Sequence, residues 1–95
     1  MLVVGAAVLE EYAITYPDAK RQLKTWLTVA EGAAWSNIIE LRKTYPQADY
    51  VKPYTVLNIK GNNYRLITII DYQRQLINIE QFLTHSSYNK GKWKR

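Results

Sequence analysis

The sequence predicts an α+β domain with amino-terminal helices packed on one face of a small, mainly antiparallel β-sheet. Three observations lead there. In the first half, apolar residues recur at helical spacing, at Leu9, Tyr12, Ala13 and Tyr16 and then at Ala19, Leu23, Trp26, Leu27 and Ala30. In the second half, branched and apolar runs are punctuated by turn residues, as antiparallel strands require. The chain has 95 residues, 47% of them apolar, which suits one core and is too short for two. Residues 1–95 are therefore read as a single domain with a basic tail at 90–95.

Each element has a local reason. Residues 1–4 are apolar and branched enough for a first strand. Pro17-Asp18 suits the start of the second helix, because proline fits a first turn and an acid there favours the helix dipole. Gly32 stops that helix. Trp35, Ile38 and Ile39 predict a short third helix capped near Ser36 and ended by Pro46. Tyr54 to Lys60 forms a strand, and Gly61-Asn62-Asn63 forms a turn whose residues tolerate positive φ. Tyr64 to Ile70 is apolar almost throughout, as a central strand buried on both faces would be. Asp71 to Arg74 turns the chain again, and Gln75 to Leu83 makes the last long strand.

Charge separates the two halves. Residues 1–50 carry five cations and six acids, whereas residues 51–95 carry eight cations and two acids. The net charge of +5 thus belongs to the second half, where it attracts polyanions and makes each phosphate contact salt-dependent. There is no cysteine, so disulfides and thiolate metal sites are excluded, and one histidine with few acids nearby argues against a protein-only metal site. The apolar opening of Met1 to Leu9 ends at Glu10 and Glu11, too short to cross a bilayer. The expected location is the cytoplasm, with no membrane partner.

The single histidine is the most suggestive residue. His85 follows the last strand, Tyr88 lies three residues on, and Lys90, Lys92, Trp93, Lys94 and Arg95 follow. A helical turn starting at Thr84 would put His85 and Tyr88 on one face. A neutral-pH proton carrier, a phenol and a set of cations are the groups that metal-free RNA cleavage needs. Arg65 alternates with Ile67 and Ile69, so its guanidinium is flanked by apolar groups and needs a partner. Asp71 and Glu80 are the structural candidates, and a phosphate is the functional one. Two hairpin registers are open: an Asn62-Asn63 loop sets Lys60 opposite Arg65, and a Gly61-Asn62 loop sets Asn58 there instead.

The run Leu57 to Leu66, followed by a strand and then Thr84-His85-Ser86-Ser87-Tyr88, resembles the HigB toxins of the RelE superfamily. Leu9, Tyr12, Tyr16-Pro17-Asp18-Ala19, Trp26 and Tyr45-Pro46-Gln47-Ala48-Asp49 are similar as well. The resemblance implies a RelE-like fold and the toxin half of a type II toxin–antitoxin system. It implies an endoribonuclease, an mRNA interferase that cleaves messages at the ribosome without a metal or other cofactor and so inhibits translation. In such cleavage the ribose 2′-OH attacks the neighbouring phosphorus. The implied partners are mRNA, the ribosome and a HigA-like helix-turn-helix antitoxin.

Carried onto this chain, the resemblance makes His85 a general base or acid and Tyr88 a donor to the leaving oxygen or a stacking platform. Arg65 and Lys60 would hold the scissile phosphate, the arginine in bidentate fashion. Asn58, Asn62 or Asn63 would read a base edge or position the backbone. Lys90, Lys92, Lys94 and Arg95 would contact phosphates, Trp93 would stack on a base, and Lys20, Arg21 and Lys24 would form a second RNA-facing patch. One position departs from the family pattern: Glu80, followed by Gln81, stands where relatives often carry a cation. The alternatives are a toxin of the same fold that cleaves nothing, such as a ParE-like gyrase inhibitor, or a non-catalytic RNA-binding domain.

Overall fold

The computed structural model describes residues 1–94; Arg95, expected to contact phosphate, lies outside the described residues. In chain order the elements are β1 (Leu2–Val4), α1 (Ala6–Thr15), a 3-10 turn (Pro17–Ala19), α2 (Lys20–Gly32), α3 (Ile38–Thr44), β2 (Asp49–Val51), β3 (Tyr54–Ile59), β4 (Tyr64–Asp71), β5 (Leu76–Thr84) and α4 (His85–Asn89). The strands form one sheet in the order β1-β5-β4-β3-β2. Only β1–β5 is parallel; the other three pairings are antiparallel, as consecutive strands joined by short turns dictate. This is the α+β arrangement that the sequence predicts.

The helical stripe of α2 lies on the sheet. Leu23, Trp26 and Ala30 are buried there with Leu9 of α1 and Leu41 of α3. The facing side of the sheet supplies Leu57, Ile59, Tyr64, Leu66, Ile77 and Phe82. Four aromatic rings extend this core at one end. Tyr12 stacks on Phe82 at 5.3 Å, Phe82 on Tyr64 at 5.1 Å, and Tyr16 meets both Tyr64 and Phe82. β4 is flanked by strands on both sides and buried along most of its length, as its composition predicts.

Several details differ from the expectations. The cap of α3 is Asn37, whose Oδ1 accepts the Glu40 amide at 2.9 Å, one residue beyond Ser36. Glu40 Oε1 in turn accepts the amide of Ser36, the residue before the cap, at 2.7 Å, so side chains bond on both sides of the helix start. Ile39, expected on the apolar face, is exposed, and Leu41 takes the buried place. The edge strand β2 was not expected; three residues before Pro53 are too short a run to announce a strand. At the β3–β4 hairpin, positive φ falls on Lys60 (53°) and Gly61 (59°), not on the asparagines.

The opposite face of the sheet is not bare. Val56 of β3 and Ile67 of β4 point away from the helices and pack under Trp93, with Val51, Tyr54, Leu83 and Tyr88 around them. This second, small core is closed by α4 and the tail. The helical layer covers one face, and Tyr88 of α4 with Trp93 covers part of the other.

Candidate active site

The candidate site is built where β4 and β5 end. Thr84 caps α4, its Oγ1 accepting the Ser87 amide at 3.1 Å, so a helical turn begins directly after the strand. That turn makes His85 the first helical residue and puts Tyr88 on its side, as the three-residue spacing predicts. The His85 backbone amide donates to the Asn63 carbonyl at 2.9 Å, tying the turn to the β3–β4 hairpin. The hairpin register pairs Asn58 with Arg65, which selects the second of the two registers open to the sequence. Asn58 and Arg65 thus lie side by side on the face away from the helices.

Arg65 is the centre of the arrangement and is only 8% exposed. Its Nη1 donates to the main-chain carbonyls of Asn62 and Tyr64, each at 3.1 Å. Its Nη2 donates to Asn62 Oδ1 at 2.6 Å and to His85 Nδ1 at 3.1 Å. The guanidinium also lies 5.3 Å from the Tyr88 ring centre. Among the described residues no carboxylate pairs with it: Asp71 lies 3.9 Å from Arg74 instead, and Glu80 makes no ion pair. Neutral acceptors satisfy the four Nη hydrogen atoms but leave the positive charge uncompensated.

This contact decides the His85 tautomer. A guanidinium can only donate, so Nδ1 must present its lone pair and Nε2 must carry the ring proton. Asn89 Nδ2 lies 3.0 Å from Nε2; turning that amide about its own axis makes Oδ1 the acceptor for the ring N–H. Asn89 was not anticipated. The signal was its i+4 spacing from His85 on a helix capped by Thr84. Burial is the largest influence on Tyr88 and raises its pKa; Asp49 raises it further and Arg65 opposes this. The phenol is therefore protonated at neutral pH.

Three expectations need correction. Lys60 does not accompany Arg65: its Nζ pairs with Asp18 Oδ2 at 3.0 Å. Asp18 Oδ1 also accepts the Tyr64 hydroxyl at 2.6 Å, so Lys60 sits on the helical side with Tyr64 while Arg65 points the other way. Trp93 is 4% exposed and its ring stacks on Tyr88 at 5.1 Å, so it is packed rather than offered to a base. Arg65 has every Nη hydrogen engaged, so a bidentate phosphate grip is not formed in advance. Lys90 and Lys92 line a cleft of about 390 Å³ with Gln81 and Ser87, directly beside α4, and Lys94 lies over the Trp93 ring at 5.7 Å. Lys20 and Lys24 instead edge a mainly apolar groove between α1 and α2 on the helical side.

The departure at Glu80 has a structural account. Thr68 pairs with Ile79 and Ile67 with Gln81, which leaves Glu80 as the extra residue of a β-bulge. The bulge puts Gln81 on the site face, where its amide donates to the Trp93 carbonyl at 3.4 Å. Glu80 is turned toward Tyr12, whose pKa is raised by burial first, then by Glu11 and Glu80. The acid is thus removed from the Arg65–His85 pair.

The profile of a family described as HigB_toxin, a RelE-like toxic component of a toxin-antitoxin system, matches residues 19–91. The mRNA interferase HigB of Escherichia coli O6:H1 is 28% identical over 93 residues, covering 95% of this chain and 90% of that protein. The mRNA interferase toxin HigB of Escherichia coli strain K12 is 26% identical over 93 residues, covering 94% and 88%. An mRNA interferase HigB of Shigella flexneri matches to the same extent. The family match takes in the hairpin, both long strands and α4, and so the positions of Arg65, His85 and Tyr88.

Proposed function

Because the chain belongs to the HigB toxin family of RelE-like toxic components of toxin–antitoxin systems, we propose that it is an endoribonuclease that cleaves mRNA on the ribosome in the cytoplasm. The observation that carries this reading is the Arg65–His85 contact, a buried cation that no carboxylate pairs with among the described residues, holding the lone pair of a histidine.

The contact suggests how the reaction starts. Of the four bonds made by the Arg65 Nη atoms, three go to the hairpin and to Tyr64 and fix the guanidinium in place. The fourth, to His85, is the one that a phosphoryl oxygen replaces. Arg65 then neutralises the phosphate, and the released Nδ1 lone pair takes the proton of the 2′-OH. The 2′-oxygen bonds to phosphorus as the bond to the 5′-oxygen breaks. Tyr88, held protonated by its burial, donates its proton to the leaving oxygen. The products are a 2′,3′-cyclic phosphate and a free 5′-OH, and no metal takes part. Lys90 and Lys92 hold flanking phosphates, and Asn58 stands beside Arg65 to position a nucleotide. The antitoxin partner is proposed to be a HigA-like helix-turn-helix protein.

Cell-free translation with and without ribosomes, read by primer extension, tests the reading. New mRNA 5′ ends within codons are expected only when ribosomes are present, and His85→Ala should abolish them. An unchanged 5′-end map in His85→Ala would remove His85 from the chemistry. Intact mRNA with the wild-type protein in both conditions would overturn the nuclease reading in favour of a toxin that cleaves nothing.

A further inference from the structure

We propose that Trp93 is the positioning residue of this site, holding α4, and with it His85 and Tyr88, against Arg65. The inference rests on the cleavage site described above and adds to it a residue that does not touch the reacting groups.

The argument begins with what α4 lacks. It has five residues and buries none of them, far below the length at which a helix holds itself in water. Its amino end is tied by Thr84 and by the His85 amide bond to Asn63. Its carboxyl end must be held by something outside the helix. Gly91, at φ +71°, turns the chain back, and its amide donates to the Tyr88 carbonyl at 3.1 Å. That turn delivers Trp93, whose Nε1–H donates to the same carbonyl at 3.0 Å. The indole thus adds a side-chain bond to a terminal carbonyl of α4 that already accepts the Gly91 amide, and ties that end of the helix to the sheet.

The ring is also fixed from below. Trp93 packs on Val56 and Ile67 of the sheet and meets the Tyr54 ring edge-on at 5.4 Å. Its carbonyl accepts from Gln81 on β5. On this seat it stacks on Tyr88 with an interplanar angle of 18°, and Tyr88 in turn lies against the Arg65 guanidinium. Sheet, indole, phenol and guanidinium form one contiguous pile, and His85 shares its short helix with the phenol. Without the indole, α4 is tied to the sheet at its amino end only, through Thr84 and the Asn63 carbonyl, and nothing seats the Tyr88 ring from below.

The test uses the full chain and two variants, Trp93→Ala and Trp93→Phe. The first readout is the titration of the Tyr88 phenol, followed by nuclear magnetic resonance of labelled tyrosine. Burial is the main reason that this pKa is raised, so Trp93→Ala should move it down toward the ordinary value of about 10. The second readout is ribosome-dependent cleavage. Displacement of aligned groups costs on the order of 10²-fold in rate, so kcat should fall by about that factor in Trp93→Ala with KM little changed. Trp93→Phe keeps a ring on the pile but loses the N–H, and should recover part of both effects. A Tyr88 titration and kcat that stay at wild-type values in Trp93→Ala would overturn the proposal. If Trp93→Ala does not fold, a wild-type titration and kcat in Trp93→Phe would overturn the claim that the N–H anchors α4. If the wild-type protein cleaves no RNA, the functional reading fails, and the titration alone still decides whether Trp93 positions Tyr88.

Discussion

Tyr64 and Arg65 are neighbours on β4, point to opposite faces of the sheet, and are treated in opposite ways. Tyr64 enters the aromatic pile under the helices, and its hydroxyl donates to Asp18, which also holds Lys60. That bond to the carboxylate pushes the Tyr64 pKa up to about 12. The acid, the cation and the phenol complete one another and leave no charge for a ligand. Arg65 is buried to the same degree but, among the described residues, is given only neutral acceptors and a histidine. Breaking a buried ion pair costs several kcal/mol, whereas a guanidinium held by carbonyls keeps its charge for an incoming anion. The difference separates a helical face whose charges are paired from an opposite face that carries the candidate site.

The largest effect that sharpens this contrast is expected at Arg65. Arg65→Lys keeps the charge and loses the fork that reaches Asn62 and His85 together. Cleavage should fall by about 10²-fold or more, the usual loss when one preorganised donor to a developing oxyanion is removed. Tyr64→Phe, measured beside it, should leave the rate within a few-fold, because its hydroxyl bonds to Asp18 on the other face. Equal losses in both variants, read as single-turnover cleavage rates, would erase the distinction between the faces.

A smaller effect, confined to stability, is expected from Asp18. Its pKa is lowered, first by the Tyr64 hydroxyl and then by Lys60. A carboxyl with a depressed folded-state pKa contributes stability above its unfolded value of about 3.9, and loses that contribution as pH falls through the folded value. Tyr64 acts at the other end: its contribution is present below about 10 and is lost as pH rises through about 12. Asp18→Asn should therefore flatten the thermal-stability profile at both extremes and return the Tyr64 titration toward 10. An unchanged alkaline titration in that variant would show that the bond does not hold the hairpin to the helical layer.

The same contrast explains what the sequence disclosed. The covered face was legible because it is periodic: the stripe from Ala19 to Ala30 and the apolar run of β4 each report their own environment. The site was legible in part, since His85, Tyr88 and Arg65 stand together as the resemblance to the toxin family implies. What was hidden depends on contacts between distant positions. Lys60 follows Arg65 in composition, but the register and a turn at Lys60-Gly61 send it to Asp18, 42 residues away in the chain. Glu80 is displaced by a bulge, and no local pattern announces an unpaired residue. Trp93 lies in a run of lysines that reads as a solvated tail, and only its seat on Val56 and Ile67 shows otherwise.

The smallest effect concerns the one place where the two regions depend on the same atom. Thr84 is the last residue of β5, pairs with Tyr64 across the sheet, and caps α4 through its hydroxyl. It therefore transmits the position of the covered strand to the helix that carries His85. Thr84→Ala should cost about 1 kcal/mol of stability through the lost cap. Thr84→Ser, which keeps the oxygen, should restore it. Because Trp93 and the Asn63 carbonyl still hold α4, the variant should fray the first turn without releasing the helix. Amide exchange at Ser87 then reports the loss directly, since its N–H is the one that Thr84 accepts. Faster exchange at Ser87 with the Trp93 indole N–H still protected would show that the two anchors act separately. Simultaneous loss at both would show that the covered face, through Thr84, carries the whole of α4.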